Sequence, residues 1–416
     1  MPLVNMKDML QHAHAHGYAV GAFELISVDF IEAIMAAAEG CRAPVIFSVA
    51  EPHFNVFDVD LLMPALETAA RHADVPVAIH FDHGSELQSA VQGINQGCNG
   101  VMVDCSAKSF ADNVKITKEV VAMAHACGVL VEGELGNVPG VEGEDAELHP
   151  GEFAFTTVAE ARAYVDRTNV DSLAISIGTV HGHMKGKPKL DWNRLKQINE
   201  SLGIPLVIHG GSGLGDDQYR RLAASGVAKI NFYTAVADVA SACMHTHAKN
   251  NRLHYSQVMQ QVKNAVGEEA ERCMRLSGAA GRAAEVLAQC TPWLPVEQVI
   301  KYNVESVDEE TVEAIMEEGR RILSSIPGVR EVVAAKAMKA DAKYRYRWLV
   351  RFCHPSVIDN YREHPAHVAF ANRLLSPLAG ERLSIDYATL PSSAAPATTT
   401  RTRINGLPMV GQAYKV

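Results

Sequence analysis

Three histidines stand at the ends of short apolar, strand-like runs, where their side chains could meet. They are His83 in the phrase HFDHGS, His181 in SIGTVHGH and His209 in VIHGGSG. Three imidazole nitrogens with one open position form a catalytic ligand set for Zn²⁺. Most of the 18 histidines must be ordinary surface or core residues, but the shared placement of these three predicts a metal centre.

Carboxylates stand close to the same histidines. Asp82 directly precedes His83, and beside a metal it could take up a hydroxyl proton and return it, as general acid–base catalysis requires. The alternative is a structural aspartate that caps the next helix. Asp104 and Glu134 end neighbouring strand-like runs. They could support the histidines or bind a second cation, or they could only accept hydrogen bonds from the backbone.

Two later segments are suited to phosphate binding. The first is the glycine-rich HGGSG at 209–213, and the second is the polar NFYT at 231–234. In a barrel of eight βα units, the loops after strands seven and eight commonly bind phosphate through backbone N–H groups and hydroxyls. Glycine runs are also common turns, so this prediction depends on the two segments together.

These side chains must be positioned by the strand-like runs that precede them. Runs that are apolar throughout indicate parallel strands covered on both faces. Eight alternate with helix-like stretches: Ala19–Phe23, Val45–Val49, Val77–Asp82, Gly100–Asp104, Leu130–Leu135, Ser172–Gly178, Leu206–Gly210 and Lys229–Thr234. A doubly wound open sheet could also hold eight strands, but it would concentrate polar residues near one switch point. Here they follow nearly every run, which predicts an α/β fold of the (β/α)8 TIM-barrel type.

Composition limits the classes of protein that remain. The chain of 416 residues is 48% hydrophobic with a formal net charge of −10, which argues against a nucleic-acid-binding surface. No window approaches the roughly 18 apolar residues of a membrane span, and the first residues lack the order of a secretory signal. Eight scattered cysteines without a CxxC pair indicate reduced thiols. We therefore predict a cytoplasmic protein with neither nucleic-acid nor membrane partners.

The pattern changes after residue 285. We predict a barrel domain at 1–285, a linker at 286–295, a small α+β domain at 296–388 and a disordered tail at 389–416, where PSSAAPATTTRTR is small, polar and proline-containing. The elements predicted in the small domain are a strand Val296–Tyr302, a helix Asp308–Leu323, a turn Ile326–Val329, a strand Tyr346–Phe352, helices Val357–Glu363 and Val368–Leu375, and a strand Leu383–Tyr387.

The first 285 residues resemble the class II, zinc-dependent ketose-bisphosphate aldolases, close to the tagatose- and fructose-bisphosphate branch. The matching phrases occur in order: AIHFDHGS, VMVDCS, VEGELG, SLAISIGTVHGHMKGKPKLD, LVIHGGSGL and KINFYTA. The resemblance implies a metal-dependent, reversible aldol cleavage that releases dihydroxyacetone phosphate (DHAP) from a phosphorylated sugar. Zn²⁺ would act as a Lewis acid, so no Schiff-base lysine is needed, and Lys229 lies at a strand start, away from the expected site.

Carried over by position, the resemblance also implies roles for single residues. His83, His181 and His209 would bind the zinc, Asp82 would take the proton of the C4 hydroxyl, and Asp104 and Glu134 would lie beside the metal. Glu142, in the loop after strand five, would be the acid of a mobile loop. The phosphate of DHAP, with a monovalent cation (Na⁺ or K⁺), would be held by Gly182, Gly210, Gly211, Ser212, Asn231 and Thr234.

Two positions depart from the family pattern. The family usually has asparagine after the first strand, whereas this chain has Glu24 in the phrase GAFE. A carboxylate so near the substrate would repel a second phosphate unless it were paired. The arginine that the bisphosphate branch places before the last helix has no clear equivalent: Ser256 aligns there, and Arg252 is nearby. Both departures favour a monophosphate or a differently substituted aldehyde partner.

Residues 296–388 resemble the stress-responsive A/B barrel (Dabb) family, through VIKYNV, IPGVREV, YREHPAHVAF and LSIDY. The resemblance implies a ferredoxin-like α+β fold that commonly dimerises into a shared barrel, so we expect a homo-oligomer, a dimer or a tetramer. His364 and His367 could bind a ligand, but packing at a helix start is the favoured interpretation.

Two alternatives to an aldolase remain open at this point. A non-catalytic barrel could bind sugar phosphates, although the joint presence of Asp82 and the three histidines argues against it. Alternatively, the principal activity could lie in the Dabb-like domain, with the barrel as a scaffold.

Overall fold

The computed structural model describes residues 2–140, 154–182, 188–248, 253–304, 307–375 and 379–389. Eight parallel strands close into a barrel in the sequential order β1 to β8, with β8 paired back to β1. Their bounds are Val20–Glu24 (β1), Val45–Ala50 (β2), Val77–Gly84 (β3), Gly100–Val103 (β4), Leu130–Leu135 (β5), Ser172–Ile175 (β6), Leu206–Ile208 (β7) and Val227–Phe232 (β8). The predicted TIM barrel is confirmed.

Burial explains why these runs form central strands. Every residue of the eight strands is buried except His83, which is partly exposed at the carboxyl end of β3. Side chains on one face fill the barrel and those on the other pack against the surrounding helices, so both faces favour apolar residues. The polar exceptions inside the barrel are therefore costly to bury, and they concentrate at the site described below.

Helices surround the barrel. Their bounds are Met6–His16 (α1), Val28–Cys41 (α2), Val59–Arg71 (α3), Leu87–Gln96 (α4), Phe110–Ala126 (α5), Val158–Thr168 (α6), Trp192–Leu202 (α7), Asp216–Ala223 (α8), Thr234–Ala248 (α9), Tyr255–Leu276 (α10) and Ala283–Gln289 (α11). Side-chain oxygens cap the amino ends of many of them, at Asn5, Ser27, Asp58, Ser109, Thr157 and Asp191. These local signals fix where each helix begins.

A four-stranded antiparallel sheet follows in the order β10-β11-β9-β12. Its strands are Val296–Val304 (β9), Val329–Lys336 (β10), Tyr346–Phe352 (β11) and Ala379–Ala388 (β12), and its helices are Glu309–Ser324 (α12), Val357–Glu363 (α13) and Pro365–Phe370 (α14). The helices cover one face, where Phe370 packs edge-on against Trp348 and Tyr361 against Phe352. The predicted ferredoxin-like α+β domain is confirmed.

The sequence analysis did not predict β10. It assigned a turn to Ile326–Val329 and no strand before Tyr346, yet Val329–Lys336 pairs along β11. The segment VREVVAAK has little apolar alternation, and alanine is depleted in strands. Its strand conformation therefore depends on its partner, which supplies the ladder of hydrogen bonds.

The small domain packs directly on the barrel. Asn95 of α4 donates to the carbonyl oxygens of Ser324 and Ile326 at 3.2 and 3.1 Å and accepts from the Gly328 N–H at 2.8 Å. Arg330 forms an ion pair with Glu67 of α3 at 2.6 Å. The two domains are thus joined by polar contacts between α3, α4 and the start of β10.

Candidate metal centre and active site

The three predicted histidine ligands converge at the carboxyl end of the barrel. His83 lies near the end of β3, His181 in the segment after β6 and His209 directly after β7. A ring nitrogen from each lies within 4.8 Å of the others. His83 has a left-handed φ of 50°, an uncommon conformation for a residue with a side chain. The register of β3 against β4 shifts at this point, which turns the ring toward the other two.

The donor set fits a divalent cation. His209 Nδ1 and His83 Nε2 face each other at 3.1 Å, and the buried His181 Nε2 has no hydrogen-bond partner among the described residues. Burial lowers the pKa of His181 to about 3, which leaves the imidazole neutral, as a metal ligand must be. Three converging nitrogens of this kind match the ligand chemistry of Zn²⁺.

Carboxylates make the same site favourable for positive charge. Asp104 Oδ2 lies 3.0 Å from His83 Nδ1, and Asp104 Oδ1 accepts from the backbone N–H and Oγ of Ser106 at 3.0 and 2.7 Å. A carboxylate oxygen of Glu134 also lies within 4.8 Å of this pair. Burial alone would lower the pKa of His83, but Asp82, Asp104 and Glu134 outweigh it and raise that pKa well above its ordinary value.

Asp82 is fully buried between the histidines and the barrel interior. Its Oδ2 accepts a 2.7 Å hydrogen bond from Asn231 Nδ2, and its Oδ1 has no hydrogen-bond partner among the described residues. Burial would raise the pKa of Asp82, but Lys229 and the neighbouring histidines lower it well below its usual range. The carboxyl is therefore ionised, with Oδ1 facing Lys229 Nζ at 3.9 Å and His80 Nδ1 at 3.5 Å.

A buried cation lies beneath this carboxylate, which sequence reasoning did not foresee. Lys229 Nζ lies 2.9 and 3.1 Å from the two oxygens of Glu132 and 3.9 Å from Asp82 Oδ1, although Lys229 was expected to lie away from the site. Glu132 also hydrogen-bonds to His209 Nε2 at 3.0 Å, an arrangement that fixes the orientation of a ligand ring. His80, whose pKa burial and Lys229 lower to about 3, completes the network. Charged residues inside otherwise apolar strands were the available signal.

The glycine-rich segment after β7 forms a tight turn. Gly210 has a φ of 65°, and a Cβ there would lie 2.0 Å from the Val180 carbonyl oxygen, so only glycine fits. Tyr219 of α8 donates from its hydroxyl to the Gly211 carbonyl at 2.5 Å. Ser212 Oγ is buried without a hydrogen-bond partner among the described residues. This turn supplies unpaired donors of the kind that bind phosphate.

The other predicted phosphate ligands are Gly182, Thr234 and Asn231, and the side chain of Asn231 makes a different contact from the one expected. Gly182 has a left-handed φ of 76°, and Thr234 begins α9 directly after β8. Asn231 instead directs its side-chain amide to Asp82, and its Oδ1 has no hydrogen-bond partner among the described residues. Asn231 therefore connects the predicted phosphate site to the predicted base.

Glu24 ends β1 and is 3% exposed. Its Oε2 lies 3.2 Å from His53 Nδ1, and the His53 ring packs on that of Tyr233 with 4.6 Å between centroids. Burial and the nearby Asp82 raise the pKa of Glu24, and His53 opposes them, which together bring it to about 7. Sequence reasoning singled out Glu24 but neither of its aromatic neighbours.

Further predictions concern Glu142, Arg252, the C-terminal tail and the histidines of the small domain. Glu142 and Arg252 lie outside the described residues, as does the tail from residue 390 onward. His364 accepts at Nδ1 from the Ala366 N–H at 3.3 Å and so caps α14. His367 packs against Tyr361 with 4.5 Å between ring centroids, so both histidines have contacts that a structural role explains.

Two family models match this chain. Residues 4–282 match the class-II fructose-bisphosphate aldolase model, and residues 303–389 match the stress responsive A/B barrel domain model. Among the described residues, no helix has the length and apolar character needed to cross a bilayer.

Individual relatives agree with the first match. A fructose-bisphosphate aldolase of Staphylococcus epidermidis is 35% identical over 288 residues, which are 68% of this chain and 100% of that protein. One from Staphylococcus aureus is 39% identical over 237 residues, 56% of this chain and 82% of that protein. The crystal structure of the YdjI aldolase from Escherichia coli K12 superposes with a TM-score of 0.61 at 28% identity, covering 68% of this chain and 99% of that one. The chain therefore belongs to the class II fructose-bisphosphate aldolases and is a carbon–carbon lyase that carries a C-terminal Dabb domain.

Proposed function

We propose that this protein is a metal-dependent aldolase that reversibly cleaves a phosphorylated ketose, a ketose 1-phosphate or 1,6-bisphosphate, into DHAP and an aldehyde. The observation that supports it most is the convergence of three imidazoles on one point beside a buried, ionised aspartate. Family membership supports the same reaction class.

His83, His181 and His209 would hold the metal, which we propose to be Zn²⁺, with Asp104 and Glu134 beside it. When bound, such a cation supplies a Lewis acid that stabilises the negative charge developing on the substrate oxygens. The carboxylates around His83 supply the countercharge, and Glu132 holds the His209 ring in place. The three histidine nitrogens would thus come from β3 and from the segments after β6 and β7.

Asp82 is the proposed base. In the cleavage direction it takes the proton of the C4 hydroxyl, the C3–C4 bond breaks, and the aldehyde leaves with C4. The electron pair stays with C3 of the three-carbon fragment, which takes up a proton to become DHAP. Asn231 holds Asp82 by Oδ2, the oxygen that lies 3.9 Å from His83 Nε2, and so orients the carboxylate beside the histidines. Glu142 is proposed as the acid of the loop after β5.

The DHAP phosphate would bind at the turn after β7 and the start of α9. Gly182, Gly210 and Gly211 would allow close approach of the backbone, while Ser212, Asn231 and Thr234 would supply side-chain contacts; we propose a monovalent cation, Na⁺ or K⁺, here as well. The amino end of α9 adds the favourable electrostatics of a helix terminus for an anion.

DHAP release tests this proposal. Metal-replete protein is mixed with a panel of ketose 1-phosphates and 1,6-bisphosphates, with chelator-treated protein as the control. We expect metal-dependent release, and a decrease of about 10²–10⁴-fold in kcat for Asp82→Asn with the metal content unchanged. His181→Ala should lose bound metal. Metal-loaded wild-type protein that releases no DHAP from any substrate would overturn the proposal.

The open face of the small sheet supports assembly into a homo-oligomer, a dimer or a tetramer. Leu383, Ile385 and Tyr387 project from this face and are 40%, 37% and 49% exposed. Contiguous apolar surface of this kind marks interaction sites. We propose that a second copy covers it. Ile385→Glu should lower the sedimentation coefficient to that of a smaller species, and an unchanged value would contradict the assignment.

We also propose the division of the chain at residues 285, 295 and 388 and a cytoplasmic location. All eight cysteines are free thiols, which suits a reducing compartment.

A further inference from the structure

A distinct wall lines the barrel mouth beside the proposed base. Glu24 is the last residue of β1, His53 lies in a 3₁₀ turn after β2, and Tyr233 follows β8. These strands are neighbours in the closed barrel, since β1 pairs with β2 on one side and β8 on the other. We call Glu24, His53 and Tyr233 the acceptor wall.

The acceptor wall is adjacent to the position of the scissile bond. Glu24 lies close enough to Asp82 for that carboxylate to raise the pKa of Glu24, and Asp82 is the proposed base for the C4 hydroxyl. The proposed phosphate turn, residues 209–213, follows β7, and the three histidines lie at the end of β3, after β6 and after β7. A ketose with its C1 phosphate in the turn and its C4 hydroxyl at Asp82 must therefore extend its remaining carbons toward Glu24.

The acceptor wall favours a ligand group that donates a hydrogen bond. Glu24 Oε2 is buried and has no hydrogen bond of good geometry in the described part of the chain, and His53 Nδ1 lies 3.2 Å from it. A buried acceptor left unpaired is costly, and a group that donates to it gains free energy. A sugar hydroxyl has a proton to donate, whereas a phosphate dianion has none.

The charges of the segments around the acceptor wall also favour a hydroxyl over a phosphate. The segments that connect β1, β2 and β8 to their following helices, 25–27, 51–58 and 233, contain no lysine or arginine but include Glu51 and Asp58. A dianionic phosphate placed there would have to hold Glu24 protonated, since like charges at short distance repel strongly at low dielectric. A hydroxyl can pair with either form of that carboxyl.

We propose that the acceptor wall binds unphosphorylated distal hydroxyls, so that the second product is a neutral polyhydroxy aldehyde and the preferred substrate is a ketose 1-phosphate. This inference rests on the aldolase function proposed above and names its substrate class. Glu24 accepts from a hydroxyl of the aldehyde fragment, and the His53 and Tyr233 rings, tilted by 43° with 4.6 Å between their centroids, form the side of the pocket against which its carbon chain packs.

Aldol condensation tests the wall directly. Metal-loaded protein is given DHAP with D- or L-glyceraldehyde, erythrose or glycolaldehyde, and separately with glyceraldehyde 3-phosphate. We expect wild-type protein to have a kcat/KM at least about tenfold higher for its best neutral aldehyde than for the phosphorylated one. Glu24→Gln, whose amide can donate to a phosphate, should reduce this ratio by about tenfold or more.

Glu86→Gln is the matched control, because it removes one exposed carboxylate outside the wall; it should keep the wild-type ratio. Preference for glyceraldehyde 3-phosphate that Glu24→Gln leaves unchanged would overturn the inference while the aldolase function stands. Absence of DHAP consumption with every aldehyde would instead overturn the aldolase function, and the inference with it.

Discussion

Lys229 affects both the charge of the proposed base and the orientation of a proposed metal ligand. Its ammonium is fully buried and contacts two carboxylates, Glu132 and Asp82. Each of those carboxylates holds part of the proposed chemistry, Glu132 through His209 and Asp82 as the base. The same cation that keeps Asp82 ionised therefore also helps to orient His209, a proposed metal ligand, through Glu132.

Lys229→Met should lower the free energy of unfolding by about 3–5 kcal/mol, because it leaves buried carboxylates without their partner. Urea unfolding followed by circular dichroism measures this loss. The double variant Lys229→Met/Glu132→Gln should recover part of it, and Lys196→Met, at an exposed position, should lose almost none. An unchanged urea midpoint in Lys229→Met would contradict the pairing.

Glu24 should make stability depend on pH. Burial raises its pKa from 4.5 to about 7, so the folded protein keeps a proton that the unfolded chain releases at lower pH. The folded state binds more protons in this window, and the contribution of Glu24 to stability falls as pH rises from about 4.5 to about 7.

The difference in unfolding free energy between wild type and Glu24→Gln should therefore fall by on the order of 2 kcal/mol between about pH 5 and pH 7.5. Urea midpoints of both proteins across this range measure it. A difference that is constant or grows with pH would show that Glu24 does not keep a raised pKa.

At the scale of elements, the barrel strands were predictable because each is an uninterrupted apolar run, and β3, β5 and β8 were located within a few residues. The positions of His83, His181 and His209 followed, since parallel strands end at one face. Strand β10 was missed because its alanines favour no strand by themselves. The Lys229–Glu132 pair was missed for another reason: β5 and β8 meet only across the closed barrel interior.

Helix α8 positions the turn after β7, the proposed phosphate site, through Tyr219, whose hydroxyl donates to the Gly211 carbonyl. Tyr219→Phe should leave that carbonyl unpaired and weaken DHAP binding by about 1 kcal/mol, or about fivefold. Isothermal titration of DHAP into metal-loaded protein measures this change. Tyr255→Phe, at a 78% exposed position, is the control. Equal affinity in Tyr219→Phe and wild type would mean that α8 does not position the turn.

For the whole molecule, the contacts of Asn95 predict that the two domains unfold together. Asn95→Ala removes three hydrogen bonds between α4 and the turn before β10. Differential scanning calorimetry should show one transition for wild type and two for the variant, with the small domain unfolding first. Asn193→Ala, on an exposed face of α7, should keep one transition. A single unshifted transition in Asn95→Ala would contradict this coupling.

The ion-pair network beneath the histidines has a consequence for how the protein matures. Lys229 pairs with both oxygens of Glu132 and lies 3.9 Å from Asp82 Oδ1, so a residue of the chain itself balances part of the negative charge buried in the barrel. In small zinc domains the metal supplies the folding free energy and the apoprotein is unfolded. We therefore expect the barrel to fold without the proposed metal ion, which would bind to the closed barrel afterwards.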